Sequence, residues 1–350
     1  MKLIIREDAN TASQYVAQHI IKLINDFAPT AERPFVLGLP TGSSPELIYK
    51  RLVEAYKNDD VSFANVITFN MDEYVDLPED HSESYHSFMY KHFFSHVDVK
   101  PANVHLLNGN AEDLEAECTE YEHKIQEVGG IELFLGGIGP DGHIAFNEPG
   151  SSLKSRTRVA TLAEDTIRAN SRFFDNDISQ VPKQALSVGV GTIMDAREVI
   201  LIVTGSHKAF ALQKVVEGSV SQMWTASCLQ MHENAMIACD DAATDEMQVK
   251  TVKYFSSIES IETAQLARQQ RATNDNPRMQ QWRSALKRLQ IDTEASNQIA
   301  SSLETQELTP DSMHSRTGLV DSAIGMEDME KQEDGLRLTS MESRVTTIEM

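Results

Sequence analysis

Residues 35–56 read FVLGLPTGSSPELIYKRLVEAY. The apolar run FVLGL has the make-up of a short strand, and Ser44 as N-cap with Pro45 at the first helical position predicts a helix directly after it. The turn between them, PTGSS, contains a glycine. A strand that feeds a helix through such a turn is the repeating unit of a parallel α/β sheet. The turn then lies at the C-terminal edge of the sheet, where helix N–H groups point toward ligands. Thr41 and Ser43 add hydroxyls there, and Gly42 adds a flexible backbone. With no lysine in a GxxxxGK[ST] frame, the stretch fits an anion site and an ordinary capped helix alike.

The same rhythm extends outward on both sides. KLIIRE (2–7), NVITFN (65–70), IELFLGG (131–137), ALSVGVG (185–191), EVILIVTG (198–205) and AMIACD (235–240) have the character of strands. Residues 12–27, the stretch after Pro45, 85–94, 111–128 and HKAFALQKVVEG (207–218) have that of helices. The alternation predicts an open, mostly parallel, Rossmann-like α/β sheet with helices on both faces. Residues 151–183 break it: they are polar and irregular, hold Arg156, Arg158, Arg168 and Arg172, and read as a loop or lid. Composition changes again near Glu259. Residues 1–259 are therefore expected to form the α/β domain, and residues 260–350, rich in Gln, Ser, Thr, Glu and Met, a largely disordered tail. Within the tail, Met279, Trp282, Leu286 and Leu289 share one face of a candidate amphipathic helix at 279–291. That helix reads as one that docks on its own domain or on a partner.

Composition narrows the function classes. The 350 residues, 41% of them hydrophobic, can fill a core, and the net charge of −22 disfavours a general nucleic-acid or anionic-membrane surface. A small anionic substrate stays compatible if a few cations converge. Cys118, Cys228 and Cys239 are widely spaced and form no CxxC pair, as in a reducing compartment. The apolar run in MKLIIREDAN is short for a signal peptide, and no apolar run of about 20 residues occurs, so a cytoplasmic location is expected.

Three strand ends carry candidate chemistry. In TGSHKAF, Lys208 falls in the first turn of a helix, against the macrodipole, which suits a side chain employed on an anion. In NVITFNMDEYVDLPED, Asp72 and Glu73 stand where the chain leaves the sheet, and either could be a general base. Adjacent residues of an extended chain point opposite ways, so one of the two faces the pocket. The third end is GGIGPDGHIAFNEPG (136–150), with Asp141, His143 and Glu148 inside eight residues. Gly137, Gly139 and Gly142 fit GxGxxG, but no helix pattern follows, so the match is coincidental. No second His or Cys cluster completes a metal shell. A proton relay around His143 and a polar turn with the histidine satisfied by Asp141 both remain open.

PTGSSPELIY, FNMDEYV, SYHSFM, GGIGPDGHIAFNEPGSS, VGVGTIMDAREVILIVTG and HKAFAL together resemble the glucosamine-6-phosphate deaminase (isomerase) family over residues 1–259. The resemblance implies conversion of glucosamine 6-phosphate and water to fructose 6-phosphate and ammonium in amino-sugar catabolism, without a cofactor or catalytic metal. It implies His143 as the ring-opening residue, oriented by Asp141 and Glu148, and Asp72 as the base at C2. It implies a phosphate site made by Thr41, Gly42, Ser43, Arg172 and Lys208, with Gly137 and Ala145 lending backbone contacts to the sugar. Ser151, Ser152, Arg158, Thr161 and Tyr254 resemble an intersubunit site for N-acetylglucosamine 6-phosphate. Ala160, however, stands where such members carry a lysine. A homohexamer is implied as well. Two other readings stand beside this one: a 6-phosphogluconolactonase-like hydrolase, disfavoured by Glu148 in HIAFNEPG and Asp72 in FNMDEY, and a sugar-phosphate-binding regulator without catalysis.

Overall fold

The computed structural model describes residues 1–274, with side chains described to residue 268. The candidate helix at 279–291 and the remainder of the expected tail lie outside the described residues. In chain order the elements are β1 (Lys2–Arg6), α1 (Ala9–Phe27), β2 (Phe35–Leu39), α2 (Glu46–Lys57), β3 (Val66–Asn70), β4 (Asp72–Tyr74), α3 (Tyr85–His92), β5 (Val104–His105), α4 (Leu114–Glu127), β6 (Leu133–Gly137), β7 (Arg158–Thr161), α5 (Glu164–Asn170), β8 (Gln184–Ser187), α6 (Val190–Met194), β9 (Glu198–Val203), α7 (Ala209–Glu217), β10 (Ala235–Asp240) and α8 (Val249–Asn274).

Seven strands form one sheet in the order β1-β10-β9-β6-β2-β3-β5, and every pairing in it is parallel. This is the predicted open α/β sheet. Its strands are buried on both faces, and alternate residues feed two separate cores. On β9, Val199, Leu201 and Val203 join a core with α4, α6 and α7. Ile200 and Ile202 join the opposite core with α1, α2 and α3. Helix α1 buries Ala12, Val16, Ile20 and Ile24 at four-residue spacing. It starts earlier than residue 12 because Asp8 and Thr11 form a reciprocal capping box.

Four sequence expectations need adjusting. ALSVGVG gives only its first part to a strand: β8 lies in a second, three-stranded antiparallel sheet, β4-β8-β7, and Val190 already opens α6. Residues 151–183 are not irregular throughout. They contain β7, α5 and 3-10 turns at Ser171–Phe173 and Ile178–Gln180. These cover a small core of Tyr74, Phe146, Ala160, Leu162, Phe174 and Val181, whose members are spread too thinly along the chain to stand out among the arginines. Ser44 is not the cap of α2: Pro45 holds that position, with no side-chain hydrogen bond to the first turn. Finally, α8 runs through the boundary read at Glu259 to Asn274. Ion pairs of Glu259 with Arg6 and Glu262 with Lys2 tie it to β1, and its own apolar residues are mostly exposed, so its composition resembles a tail. No helix among the described residues is long and apolar enough to cross a membrane.

The 151–183 segment is fastened at its root by a buried carboxylate. Glu122 on α4 accepts hydrogen bonds from the Thr157 backbone N–H at 2.8 Å and hydroxyl at 2.6 Å, the Thr192 hydroxyl at 2.5 Å and the Arg156 guanidinium at 2.6 Å. Burial works to raise its pKa, but these donors outweigh burial and hold it below the usual range. Glu122→Gln should therefore lower stability at pH 7 by about 2–3 kcal/mol. The depressed carboxyl stabilises the fold above its unfolded pKa and loses that effect as pH falls, so the difference should shrink toward pH 3. Urea unfolding of both proteins across pH checks this.

Candidate active site

Parallel pairing puts the C-terminal ends of β9, β6, β2 and β3 side by side. From β2 the chain proceeds outward to β3 and β5, and from β6 it proceeds the other way to β9 and β10. The gap between β6 and β2 is thus the topological switch point, the place where open α/β sheets bind ligands. The four neighbouring ends deliver Lys208, the 138–150 loop, Thr41–Gly42–Ser43 and Asp72. A methyl group placed on Gly137 would lie 3.9 Å from Ser44 Cβ, so the β6 end and the β2 turn adjoin. Gly42 takes φ +97° with open space where a side chain would stand.

The 138–150 loop holds its histidine in a fixed place. His143 Nδ1 lies 2.6 Å from Asp141 Oδ1. Burial works to raise the Asp141 carboxyl, and the neighbouring His143 overrides it, leaving the pKa lowered. Gly139 makes the pairing possible: a Cβ there would sit 2.3 Å from the His143 ring and 2.6 Å from Asp141 Oδ1. Its N–H also donates to the His143 carbonyl at 2.8 Å. Farther along, Ala145 adopts φ +49°, a left-handed conformation unusual for alanine and typical of functional turns. The Thr225 hydroxyl donates to the Asn147 carbonyl at 2.7 Å, and the Ser187 hydroxyl accepts from the Phe146 N–H at 3.0 Å. Glu148 turns elsewhere, accepting the Ala163 N–H at 2.8 and 3.0 Å at the start of α5. The structure thus joins Asp141 to His143 and joins Glu148 to the 151–183 segment.

The two acids of FNMDEY separate cleanly. Glu73 accepts the N–H groups of Tyr74, Tyr85 and His86 at 2.9, 3.0 and 2.9 Å, so it caps α3. Asp72, 8% exposed, receives no hydrogen bond from the described residues. Burial pushes its carboxyl up to about 8, and the nearby Glu73 adds to the effect. Asp72 is therefore the member of the pair whose carboxyl is left unpaired.

Cations gather on the other side. Lys208 Nζ donates to the Ile138 carbonyl at 2.7 Å. Burial lowers its ammonium to about 8, with Asp141 opposing and Arg172 assisting the shift. His207 is lowered too, by burial, then Lys208 and Arg172, with Asp240 opposing. Arg172 lies over the Phe173 ring at 4.6 Å. Asp240, which the sequence reading did not single out, accepts the Gly205 N–H at 2.9 Å and the Ala243 N–H at 3.0 Å, bracing the turn that presents Lys208. Its signal was an acid at the end of an otherwise apolar strand. In the sequence Gly139 stands only within a coincidental GxGxxG match and Glu73 only as an alternative base, so neither positioning role is legible there.

Of the residues with an implied regulatory role, Arg158 donates to Asn147 Oδ1 at 2.7 Å and the Ser151 hydroxyl at 3.2 Å. Ser152 and Thr161 lie exposed nearby in the chain. Tyr254, 60% exposed on α8, makes no hydrogen bond to any of them. Ala160 is buried in the small core. Among the described residues no three His, Cys, Asp or Glu side chains cluster as a metal site would need.

A family model described as glucosamine-6-phosphate isomerases/6-phosphogluconolactonase matches residues 7–238. A glucosamine-6-phosphate deaminase of Phocaeicola vulgatus is 64% identical over 259 residues, 74% of this chain and 98% of the relative. One of Drosophila melanogaster is 61% identical over 258 residues, 74% of this chain and 94% of the relative. Among solved structures, a monomeric glucosamine-6-phosphate deaminase matches with a TM-score of 0.67 at 40% identity, covering 70% of this chain and 100% of that one. A 6-phosphogluconolactonase from Trypanosoma brucei matches with a TM-score of 0.56 at 19% identity, covering 71% of this chain and 98% of that one, a likeness of fold alone.

The burial of Asp72 has a measurable cost. An unfolded aspartate ionises near pH ~4, whereas the folded one stays protonated to about 8. Between these values ionisation favours the unfolded chain. Asp72→Asn should thus become more stable than the parent as pH rises from 4 to 8, by on the order of a few kcal/mol, and match it at pH 4. Thermal unfolding at the two pH values reads the difference.

Proposed function

The chain belongs to the family of glucosamine-6-phosphate isomerases and 6-phosphogluconolactonases, and we propose that it converts D-glucosamine 6-phosphate and water to D-fructose 6-phosphate and ammonium. It is an enzyme of the deaminase type. The observation that carries the reading is the ordering of four strand ends, which sets a buried, unpaired carboxyl at one side of the crevice and converging cations at the other. The deaminases that match at 58–64% identity support it.

The phosphate binds at the turn of Thr41, Gly42 and Ser43, where α2 leaves its first N–H groups without a side-chain cap. Arg172 and Lys208 supply positive charge there. Gly137 and Ala145 offer backbone to the sugar. His143, paired with Asp141, moves a proton from the anomeric hydroxyl to the ring oxygen, which breaks the bond from C1 to that oxygen and gives the open aldehyde. Asp72 takes the proton from C2 while a proton of the substrate ammonium passes to O1, giving an enolamine, and the Asp72 carboxyl then delivers its proton to C1. The C2 carbon, now an iminium, adds water and loses ammonia, leaving the ketose. Glu148, bonded to the Ala163 N–H at the start of α5, links the position of the 151–183 segment to the loop carrying His143. Atoms balance without an oxidant.

The same reading carries a cytoplasmic, hexameric enzyme of hydrolase class, with Ser151, Ser152, Arg158, Thr161 and Tyr254 serving a regulatory sugar phosphate between subunits. Buried Ala160 offers that ligand no cation, so its activation should be weak. Light scattering reads the oligomer. Ammonia release with and without N-acetylglucosamine 6-phosphate reads the regulation.

Ammonia release from glucosamine 6-phosphate is the primary test; hydrolysis of 6-phosphogluconolactone without ammonia release would overturn the reading. Asp72→Asn should reduce turnover by about 10³-fold or more and abolish solvent exchange at C2, with fructose 6-phosphate still binding. In the unliganded enzyme Asp72 must lose its proton and Lys208 must keep its own, each near pH 8. Hence kcat/KM should rise toward pH 8 on Asp72 ionisation and fall above it as Lys208 discharges. Lys208→Met should remove the alkaline limb and raise KM by about 10-fold or more.

A further inference from the structure

Asn70 poses a separate problem. It ends β3, is fully buried, and both atoms of its amide lack a hydrogen-bond partner among the described residues. The Thr68 hydroxyl, two residues earlier, is equally buried and unpartnered. Burying such groups unpaired costs about 1–3 kcal/mol each, and in native proteins they call for an explanation. Along this strand Phe69 and Met71 face the core with α4. Alternation therefore sets Thr68 and Asn70 on the opposite face of β3, and after a bend at Met71 the chain opens β4 with Asp72, two residues beyond Asn70.

Asp72 lacks what Asn70 has to give. The titratable groups whose charge is coupled to Asp72 are acidic or tyrosines: Glu73 beside it, Tyr74 on β4, Tyr49 on α2, Tyr85 on α3 and Tyr121 on α4. Burial raises each tyrosine above its ordinary value, so all stay neutral. Their hydroxyls are largely committed: Tyr49 donates to the Pro40 carbonyl at 2.5 Å and Tyr121 to the Asn70 carbonyl at 2.8 Å, while Tyr74 accepts from Asn170 at 2.9 Å. No cation adjoins the carboxyl, yet the reaction needs it ionised.

We propose that Asn70 is the positioning residue of Asp72: in the substrate-loaded site its Nδ2 donates to the Asp72 carboxylate, while its Oδ1 accepts from the Thr68 hydroxyl. The three side chains then form one hydrogen-bonded run that ends on the base. The carboxylate gains a directed hydrogen bond that favours its ionised form and fixes the oxygen aimed at C2. This rests on the reading of Asp72 as the base.

The test compares pH profiles of kcat for the parent, Asn70→Leu and Asn70→Ser, with inhibition by inorganic phosphate as a control on the other side of the crevice. Asn70→Leu should move the acid limb upward by about one pH unit and lower kcat about 10-fold at pH 7, with phosphate inhibition unchanged. Asn70→Ser, which keeps a donor, should restore part of the shift. An acid limb that stays in place in folded Asn70→Leu overturns the proposal and assigns the amide to a fixed water or to packing. Should that variant not fold, asparagine-selective nitrogen-15 labelling of the parent serves instead. The Asn70 side-chain amide protons should move downfield on adding fructose 6-phosphate, and an unmoved signal overturns the proposal. A parent enzyme that releases no ammonia would instead refute the function, leaving the two failures distinct.

Discussion

The parallel pairing of β2 with β6, Leu37 opposite Leu133 and Gly38 opposite Phe134, is the contact on which the rest depends. Nearly a hundred residues separate the two strands in the chain, yet their union makes the switch point and brings the 40–45 turn against the 138–150 loop. Gly38 permits it, because a Cβ at that position would meet the Phe134 ring at 2.4 Å. Once these strands are joined, parallel geometry leaves no choice about where the loops emerge. β9 adds the cationic turn on one flank and β3 adds Asp72 on the other.

Much of this was legible from sequence because parallel strands, buried on both faces, announce themselves as unbroken apolar runs. The site was less so. Asp72 and Glu73 have the same charge and adjacent places, and what separates them is the start of α3, twelve residues on, whose N–H groups claim Glu73. No local pattern encodes that. Lys208 did give a signal, since a lysine in a first turn opposes the helix dipole. Arg172 did not stand out from its arginine neighbours until the fold set it beside Lys208. The small strands β4 and β7 were invisible for a different reason: three or four residues are too few to show a period, and their pairing with β8 comes entirely from tertiary context.

Electrostatically the crevice runs against the grain of the molecule. The whole chain carries −22, yet Arg172, His207 and Lys208 meet beside a helix start while acids are either neutralised by burial, as Asp72 is, or spent on backbone N–H groups, as Glu73, Glu148 and Asp240 are. Backbone N–H groups thus hold three of these carboxyls, burial discharges Asp72 and His143 pairs with Asp141, which leaves the crevice a field suited to an anion. Low dielectric around Lys208 strengthens its attraction for that anion and also makes the charge easier to lose.

The cap that Glu73 places on α3 gives the dipeptide Asp72–Glu73 a reading direction. On an extended chain neighbouring letters have opposite addresses, so the shorter acid looks into the crevice and the longer one reaches back to the helix. Writing the pair as Glu–Asp would conserve charge, composition and hydropathy, and would still send the wrong arm to each destination. For a designer, those two letters behave as ordered code.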